Sequence, residues 1–415
     1  MQKLNIAILS YRSAPFGGGQ GIYIHDISKA LSYMGHQVDV ISGPPYPNLD
    51  EKVNLIKLPG LDLFQTFSFK DRLKIFIKKK NKRAIDFYEF FSTFFGGFPE
   101  MRTFGERAKE FLDINNQFDI VIDNQSISYG LLKIQKKFPL LEVIHHPITK
   151  DYKFELQLNR SFMYRLSRHR WYSFLKMQKK VAPQLKKIVT PSFNSRKDIA
   201  SDFSVKKENI NVINNGLDID IFIPYNEIKR NPTKLITTAS ADVALKGLDY
   251  SLKSLESLTD DFPEISLTVI GKLKKGGHTS RLIDELGIKD KVFFKTDLTK
   301  EEIAKEYASS SIAIVSSLYE GFGYPVIEAM SCEIPLIASN ASSIPELVGD
   351  YARLIPPKNT NELSNSIRSI LNDYSHYKKI AVKGRQHIID NFNWLKITEE
   401  YEDIISKTIN DFHKC

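Results

Sequence analysis

Cysteine is nearly missing from this 415-residue chain: there are two, Cys332 and Cys415, and neither belongs to a Cys-x-x-Cys pair or a Cys/His cluster. That excludes a disulfide framework and a zinc site, and it suits a reducing compartment. Long apolar runs are missing too. No stretch approaches the roughly 20 residues that a membrane span needs. The first ten residues, Met1 to Ser10, carry an apolar core too short for a signal peptide. They read as a first β-strand, and a cytoplasmic protein is expected. No repeat of roughly 20–50 residues is found, and no low-complexity tract. A Gly-x-Ser-x-Gly elbow is absent, which argues against an esterase-type hydrolase. The loop Gly17-Gly18-Gly19-Gln20-Gly21 is not a Gly-x-Gly-x-x-Gly fingerprint, so nicotinamide binding is not indicated.

What is present is a globular composition, 42% hydrophobic and 26% charged, with length enough for two domains. Lys and Arg number 58 against 49 Asp and Glu, a formal charge of +9. The surplus favours anionic partners such as nucleotide phosphates, lipid headgroups or nucleic acid, although a Lys-rich solvated surface accounts for it equally well.

Strand and helix patterns alternate along the chain. Asn5–Ser10 is a strand, the glycine loop follows, and Ile24, Ile27, Leu31 and Met34 then recur at helical spacing up to Gly35. Further strands read as Gln37–Ser42, Val53–Lys57, Asp119–Asp123, Leu140–Ile144, Lys187–Thr190 and Asn211–Ile213. After a polar stretch, Asp218–Thr233, the scheme repeats: Lys234–Ser240, Ile265–Gly271, Lys291–Phe294, Ile312–Ser317, Pro335–Ser339 and Arg353–Ile355. Between them Leu248, Leu252, Leu255 and Leu258 share a helix face, and Trp394–Phe412 reads as a final amphipathic helix. This predicts two doubly wound, Rossmann-like α/β domains facing across a cleft. The expected boundaries are 1–222, a linker at 223–233, 234–393, and a last helix at 394–415 crossing back to the first domain.

The sharpest motif is Glu320-Gly321-Phe322-Gly323-Tyr324-Pro325-Val326-Ile327-Glu328, directly after the strand Ile312–Ser317. The glycines allow close backbone approach. Pro325 suits the opening of a helix, and a helix N-terminus suits a diphosphate. Glu328 is expected in that helix's first turn, where a favourable charge at a helix N-terminus is the plainer reading. Both carboxylates would face the cleft and accept hydrogen bonds from sugar hydroxyls.

This stretch resembles the Glu-x7-Glu signature of retaining GT-B glycosyltransferases, the family 4 group. Thr190-Pro191-Ser192-Phe193-Asn194-Ser195, Asn214-Asn215-Gly216-Leu217-Asp218, Leu245-Lys246-Gly247-Leu248, Cys332-Glu333-Ile334-Pro335 and Pro345-Glu346-Leu347 resemble further motifs of the same family. The resemblance implies GT-B architecture and transfer of a sugar, with retention, from a nucleotide-sugar co-substrate. The acceptor would be a glycan, a lipid-linked sugar or a small molecule. Glu328 would bind the ribose hydroxyls, Glu320 the donor sugar, and Lys246 the diphosphate, with Phe322 and Gly323 offering backbone amides. Gly18 and Gly19 would match the family's glycine loop near the phosphates, although an ordinary tight turn explains them as well. His145, in His145-His146-Pro147 at a strand end, matches a family histidine at the donor-sugar site, and Asp123-Asn124-Gln125 would line the acceptor pocket. One position departs from the pattern: Ala241 stands where the family has Arg. Another basic residue would replace it, or the diphosphate would be held differently, with Asp242 reaching a donor hydroxyl. No metal is expected, because no Asp-x-Asp pair of the other glycosyltransferase fold sits at a strand end.

Two basic, aromatic stretches remain. Lys70 to Arg83 is flanked by Phe64, Phe67 and Phe69 before it and by Phe87, Phe90, Phe91, Phe94 and Phe95 after it; Arg160 to Lys180 includes Arg165, Arg168, Arg170, Trp171 and Tyr172. They suit an anionic membrane surface, hence a peripheral protein at the inner face of the membrane, or else a solvated helix face over a core of phenylalanines. No nucleic-acid motif accompanies them. Two other classes stay open. A glycoside hydrolase using Glu320 and Glu328 would have no use for an anion site between them. A non-catalytic sugar-nucleotide or polyanion binder would suit the missing Arg.

Overall fold

Strands covered on both faces read as unbroken apolar runs, and such runs build parallel sheets. A computed structural model, which describes residues 3–14, 19–63, 66, 68–158 and 160–414, shows two of them. The first contains β1 (Asn5–Ser10), β2 (Gln37–Ser42), β3 (Asn54–Lys57), β4 (Ile120–Asn124), β5 (Leu140–Val143), β6 (Ile188–Thr190) and β7 (Ile210–Val212). Their order is β3-β2-β1-β4-β5-β6-β7, and every pairing is parallel. The second contains β8 (Lys234–Thr238), β9 (Ser266–Ile270), β10 (Val292–Lys295), β11 (Ile312–Val315), β12 (Leu336–Ser339) and β13 (Arg353–Ile355). Its order is β10-β9-β8-β11-β12-β13, again all parallel.

Each sheet reverses direction once, between β1 and β4 and between β8 and β11. At such a point the loops leaving neighbouring strands run to opposite faces, which opens a crevice beyond the C-terminal strand ends. The crossover helices cover both sides. Ile24, Ile27 and Leu31 on helix Gly19–Tyr33 and Leu248, Leu252 and Leu255 on helix Leu248–Glu256 are all buried.

The chain divides into Met1–Ile213 with Ile397–Cys415, and Asn214–Lys396. The segment 214–222, expected in the first domain, packs with the second unit instead. Leu217 and Phe222 are buried, the Leu217 N–H donates to Phe392 O at 2.7 Å, and Arg385 Nη1 and Ser331 Oγ donate to Phe222 O at 2.8 and 2.6 Å. The last helix, Trp394–His413, joins the first unit from Ile397 onward. There the Tyr401 and Tyr23 hydroxyls lie 2.8 Å apart, and His36 Nε2 lies 3.0 Å from Glu402 Oε1.

Candidate active site

In the second unit, the sequence-predicted donor residues converge where the sheet order reverses. After β8 the chain makes one 3-10 turn, Ala244–Lys246, and reaches Gly247 at φ +65°. A Cβ there would sit 2.0 Å from Ser316 O, so glycine lets the turn press onto the end of β11. The Leu318 N–H donates to Leu245 O at 2.7 Å, and Ser316 Oγ donates to Gly247 O at 2.9 Å. This docking delivers Lys246 to Glu320, with Nζ and Oε1 2.8 Å apart. Glu320 is nearly buried and is braced by serines: Ser317 Oγ donates to its Oε1 at 2.7 Å, its own N–H donates to Ser342 Oγ at 2.7 Å, and Ser343 Oγ donates to its carbonyl at 2.9 Å.

Gly323, at φ +122°, precedes helix Tyr324–Ser331, with Pro325 in the first turn. Glu328 is the fifth residue of that helix, so it lies beyond the first turn in which the sequence places it. Its carboxylate is buried: Tyr307 OH donates to Oε2 at 3.3 Å and also lies 3.0 Å from Thr238 Oγ1 at the end of β8. Burial and the Glu328 charge push the Tyr307 pKa well up, so the phenol remains a donor. The Phe322 ring packs into the core beside Phe392, 6.2 Å between centroids, and its carbonyl accepts from Ser343 Oγ. Asp242, at φ +62°, exchanges two bonds with Thr279: its Oδ1 accepts from Thr279 N at 2.8 Å and its N–H donates to Thr279 Oγ1 at 3.1 Å. The pair ties the loop holding Ala241 to the segment after β9, which carries the exposed Lys272, Lys274 and Lys275.

In the first unit, Gly19 is the exposed first residue of its helix, and Gly18 lies outside the described residues. His145 follows β5. Its Nε2 lies 2.8 Å from Asn124 Oδ1, its N–H donates to Gln125 Oε1 at 2.6 Å, and its carbonyl accepts from Ser195 Oγ at 3.0 Å. The Tyr23 ring meets it edge-on at 4.6 Å. Desolvation, helped by His146, lowers its pKa to about 3, so the imidazole is neutral at physiological pH. Asp123, Asn124 and Gln125 are themselves buried; Asn124 and Gln125 brace His145 and His146, while Asp123 accepts from Ser126 N and Oγ at 2.8 and 2.9 Å. Asp123 and Glu142 are register partners on β4 and β5, both fully buried. Burial raises both pKa values, Asp123 to about 6 and Glu142 well above its ordinary value, with the Asp123 charge adding to the latter.

Comparison with known proteins decides the family. Residues 17–221 match the family described as Glycosyltransferase Family 4, and residues 222–387 match Glycosyl transferases group 1. The MMP alpha-(1->4)-mannosyltransferase of Mycolicibacterium hassiacum is 38% identical over 418 residues, covering 99% of this chain and 100% of that protein. The chain belongs to glycosyltransferase family 4.

Solved structures agree on the fold of the glycosyltransferase. Sucrose-phosphate synthase from Thermosynechococcus elongatus matches with a TM-score of 0.75 at 19% identity, covering 99% of this chain and 100% of that one. HepE of Anabaena, solved in complex with UDP and glucose, matches with a TM-score of 0.70 at 16% identity, covering 97% and 99%. The architecture is therefore GT-B, an α/β fold with one Rossmann-like sheet in each unit. Within the glycosyltransferase, sequence reasoning misses Ser317, Ser342 and Tyr307 at the site. Their only signal is position, one to three residues past a strand or at a helix end. Glu142 is hidden inside an apolar run.

Proposed function

We propose that this glycosyltransferase moves a hexosyl group, with retention of configuration, from a nucleoside-diphosphate sugar to a hydroxyl of a glycan, a lipid-linked sugar or a small molecule. The observation that carries the reading is the Lys246–Glu320 pair, 2.8 Å apart at the reversal point of the second sheet and beside a helix N-terminus. A cation next to amide dipoles is what a departing diphosphate requires. The acceptor oxygen attacks the anomeric carbon, the carbon–oxygen bond to the diphosphate breaks, and the diphosphate leaves with the electron pair. The acceptor's proton passes to the departing phosphate oxygen. Lys246 neutralises that charge, Glu320 orients a sugar hydroxyl, and Glu328 takes the ribose hydroxyls. Neutral His145 hydrogen-bonds the sugar. Lys272, Lys274 or Lys275 supplies the cation that Ala241 lacks. The reading calls on no protein-held metal.

The Mycolicibacterium relative is a mannosyltransferase and HepE was solved with UDP and glucose, so mannosyl and glucosyl donors come first. The test is nucleotide release from a panel of UDP-, GDP- and ADP-sugars, with and without carbohydrate acceptors, followed by NMR of the product's anomeric centre. One donor should release nucleotide only with an acceptor and give a retained linkage. Tight nucleotide binding without release from any donor would instead make this chain a sugar-nucleotide binder, and an inverted product would remove the retaining mechanism.

A further inference from the structure

Helix Ala84–Phe94 is built inside out. Its buried residues are Asp86, Glu89 and Phe90. Arg107, itself buried, donates through Nη2 to Asp86 Oδ1 at 2.8 Å and to Glu89 Oε2, and Lys79 Nζ reaches Asp86 at 2.7 Å. The outward stripe is apolar: Phe87, Phe91, Phe94 and the next residue, Phe95, are 44%, 51%, 49% and 64% exposed. Spaced by four, three and one residues, they lie on one side of the helix. Of the phenylalanines on this helix only Phe90 turns inward, where it packs with Leu61, Leu63 and Phe76.

Two other helices extend the stripe. Helix Phe69–Lys78 buries no residue, stacks Phe76 on Phe90 at 4.5 Å and Phe69 near Phe94 at 5.2 Å, and exposes Ile77 beside Lys70, Lys78 and Lys80. Helix Phe162–Trp171, distant in sequence, arrives at the other end, where the Trp171 ring lies 5.2 Å from Phe98 and a Cβ on Gly97 would touch Arg170 O at 3.7 Å. It too buries nothing, and it exposes Phe162 and Met163 with Arg160, Arg165 and Arg170. Phe64 and Phe67 lie outside the described residues. Residues 68–95 hold eight Lys and Arg against three Asp and Glu, and two of those acids, Asp86 and Glu89, are the buried ones. The accessible face is therefore apolar at its centre and cationic around it.

We propose that this face docks the protein onto an anionic phospholipid bilayer, with the phenylalanines in the interface and the Lys and Arg side chains on headgroup phosphates. No described helix is long and apolar enough to cross a membrane, so the attachment is in the plane of the surface. A second copy fits the face less well, because a two-fold contact sets each patch against itself, cation on cation. A neutral glycan gives no use for the cations.

The test is flotation of the full chain with phosphatidylglycerol-containing vesicles and with pure phosphatidylcholine vesicles. Wild type should float with the former, weakly with the latter, and less in high salt. Phe91→Ser/Phe94→Ser/Phe95→Ser should weaken partitioning by at least about tenfold. Lys70→Glu/Lys78→Glu/Lys80→Glu should weaken it by roughly 100-fold and abolish its salt dependence. Nucleotide release to a soluble acceptor and the melting temperature should be unchanged in the charge variant, which therefore decides the matter if the Phe variant unfolds. Absence of flotation, equal flotation on both vesicles, or flotation indifferent to the charge variant overturns the proposal. So does a wild-type dimer that ignores vesicles and dissociates in the Phe variant.

Discussion

Replacing Lys246 by Met separates what the ion pair does for stability from what it does for transfer. The substitution keeps the side-chain length and removes the ammonium held 2.8 Å from Glu320 Oε1. Glu320 is only 9% exposed, so its carboxylate loses a counter-ion in a site that water reaches poorly. Breaking a fully buried pair costs about 3–5 kcal/mol and breaking an exposed one about 0–1. The Lys246 side chain is 31% exposed, which places this pair between the limits, at about 2 kcal/mol. For a unit of this size that lowers the melting temperature by about 4–8 °C. Transfer should fall much further, about 1,000-fold, because the diphosphate loses its cation. Adding Glu320→Gln removes the stranded charge while Ser317 Oγ, 2.7 Å away, keeps an acceptor. The double variant should regain most of the melting temperature and none of the rate. Calorimetry and nucleotide-release kinetics on wild type, the two single variants and the double variant check this. An unshifted melting temperature in Lys246→Met would remove the ion pair from the argument. A double variant with recovered rate would mean that Lys246 serves Glu320 rather than the diphosphate.

Gly247→Ala places a Cβ 2.0 Å from Ser316 O at φ +65°, so the Lys246 turn must lift off β11. Nucleotide affinity by titration calorimetry should drop by more than about tenfold, and wild-type affinity would show that the turn's docking is immaterial. Tyr401→Phe removes a buried hydroxyl pair 2.8 Å apart and should cost about 1 kcal/mol in denaturant unfolding; a neutral substitution would deny the last helix its polar tie to Tyr23. Asp123 and Glu142 have folded-state pKa values above their unfolded ones, Asp123 at about 6. The fold therefore binds protons that the unfolded chain releases. The Asp123 contribution is complete below about pH 4 and is lost as pH rises through about 6, by up to about 3 kcal/mol. Melting temperatures should fall across that window, and Asp123→Asn should flatten the fall. A slope that survives this substitution would rule Asp123 out as its source.

The two sheets are legible from amino-acid order alone, because a doubly covered strand has no polar face and its run of Val, Ile and Leu is unmistakable. The segment 214–222 is assigned to the wrong domain on the same basis, because Leu217 and Phe222 sit in a polar stretch and nothing local says that their partner is Phe392. The site shows the same divide. Glu320, Gly321 and Gly323 announce themselves by spacing. That Lys246 reaches Glu320 depends on β8 lying beside β11, a pairing across 74 residues between the two side chains. The inward turn of Glu328 depends on the phase of an eight-residue helix, too short for its periodicity to be read. Helix Ala84–Phe94 misleads for an electrostatic reason: its acids go inside because Arg107, on another helix, is there to receive them.

The first unit closes only when Ile397, Tyr401 and Ile405 bury themselves in it, so it is written at both ends of the chain. The second unit, continuous from Asn214 to Lys396, is not. During synthesis at about 5–20 residues per second, the first sheet waits tens of seconds for the helix that covers it. The half of the protein made first is the half finished last, and through that interval the surface awaiting Tyr401 is where a chaperone would find it.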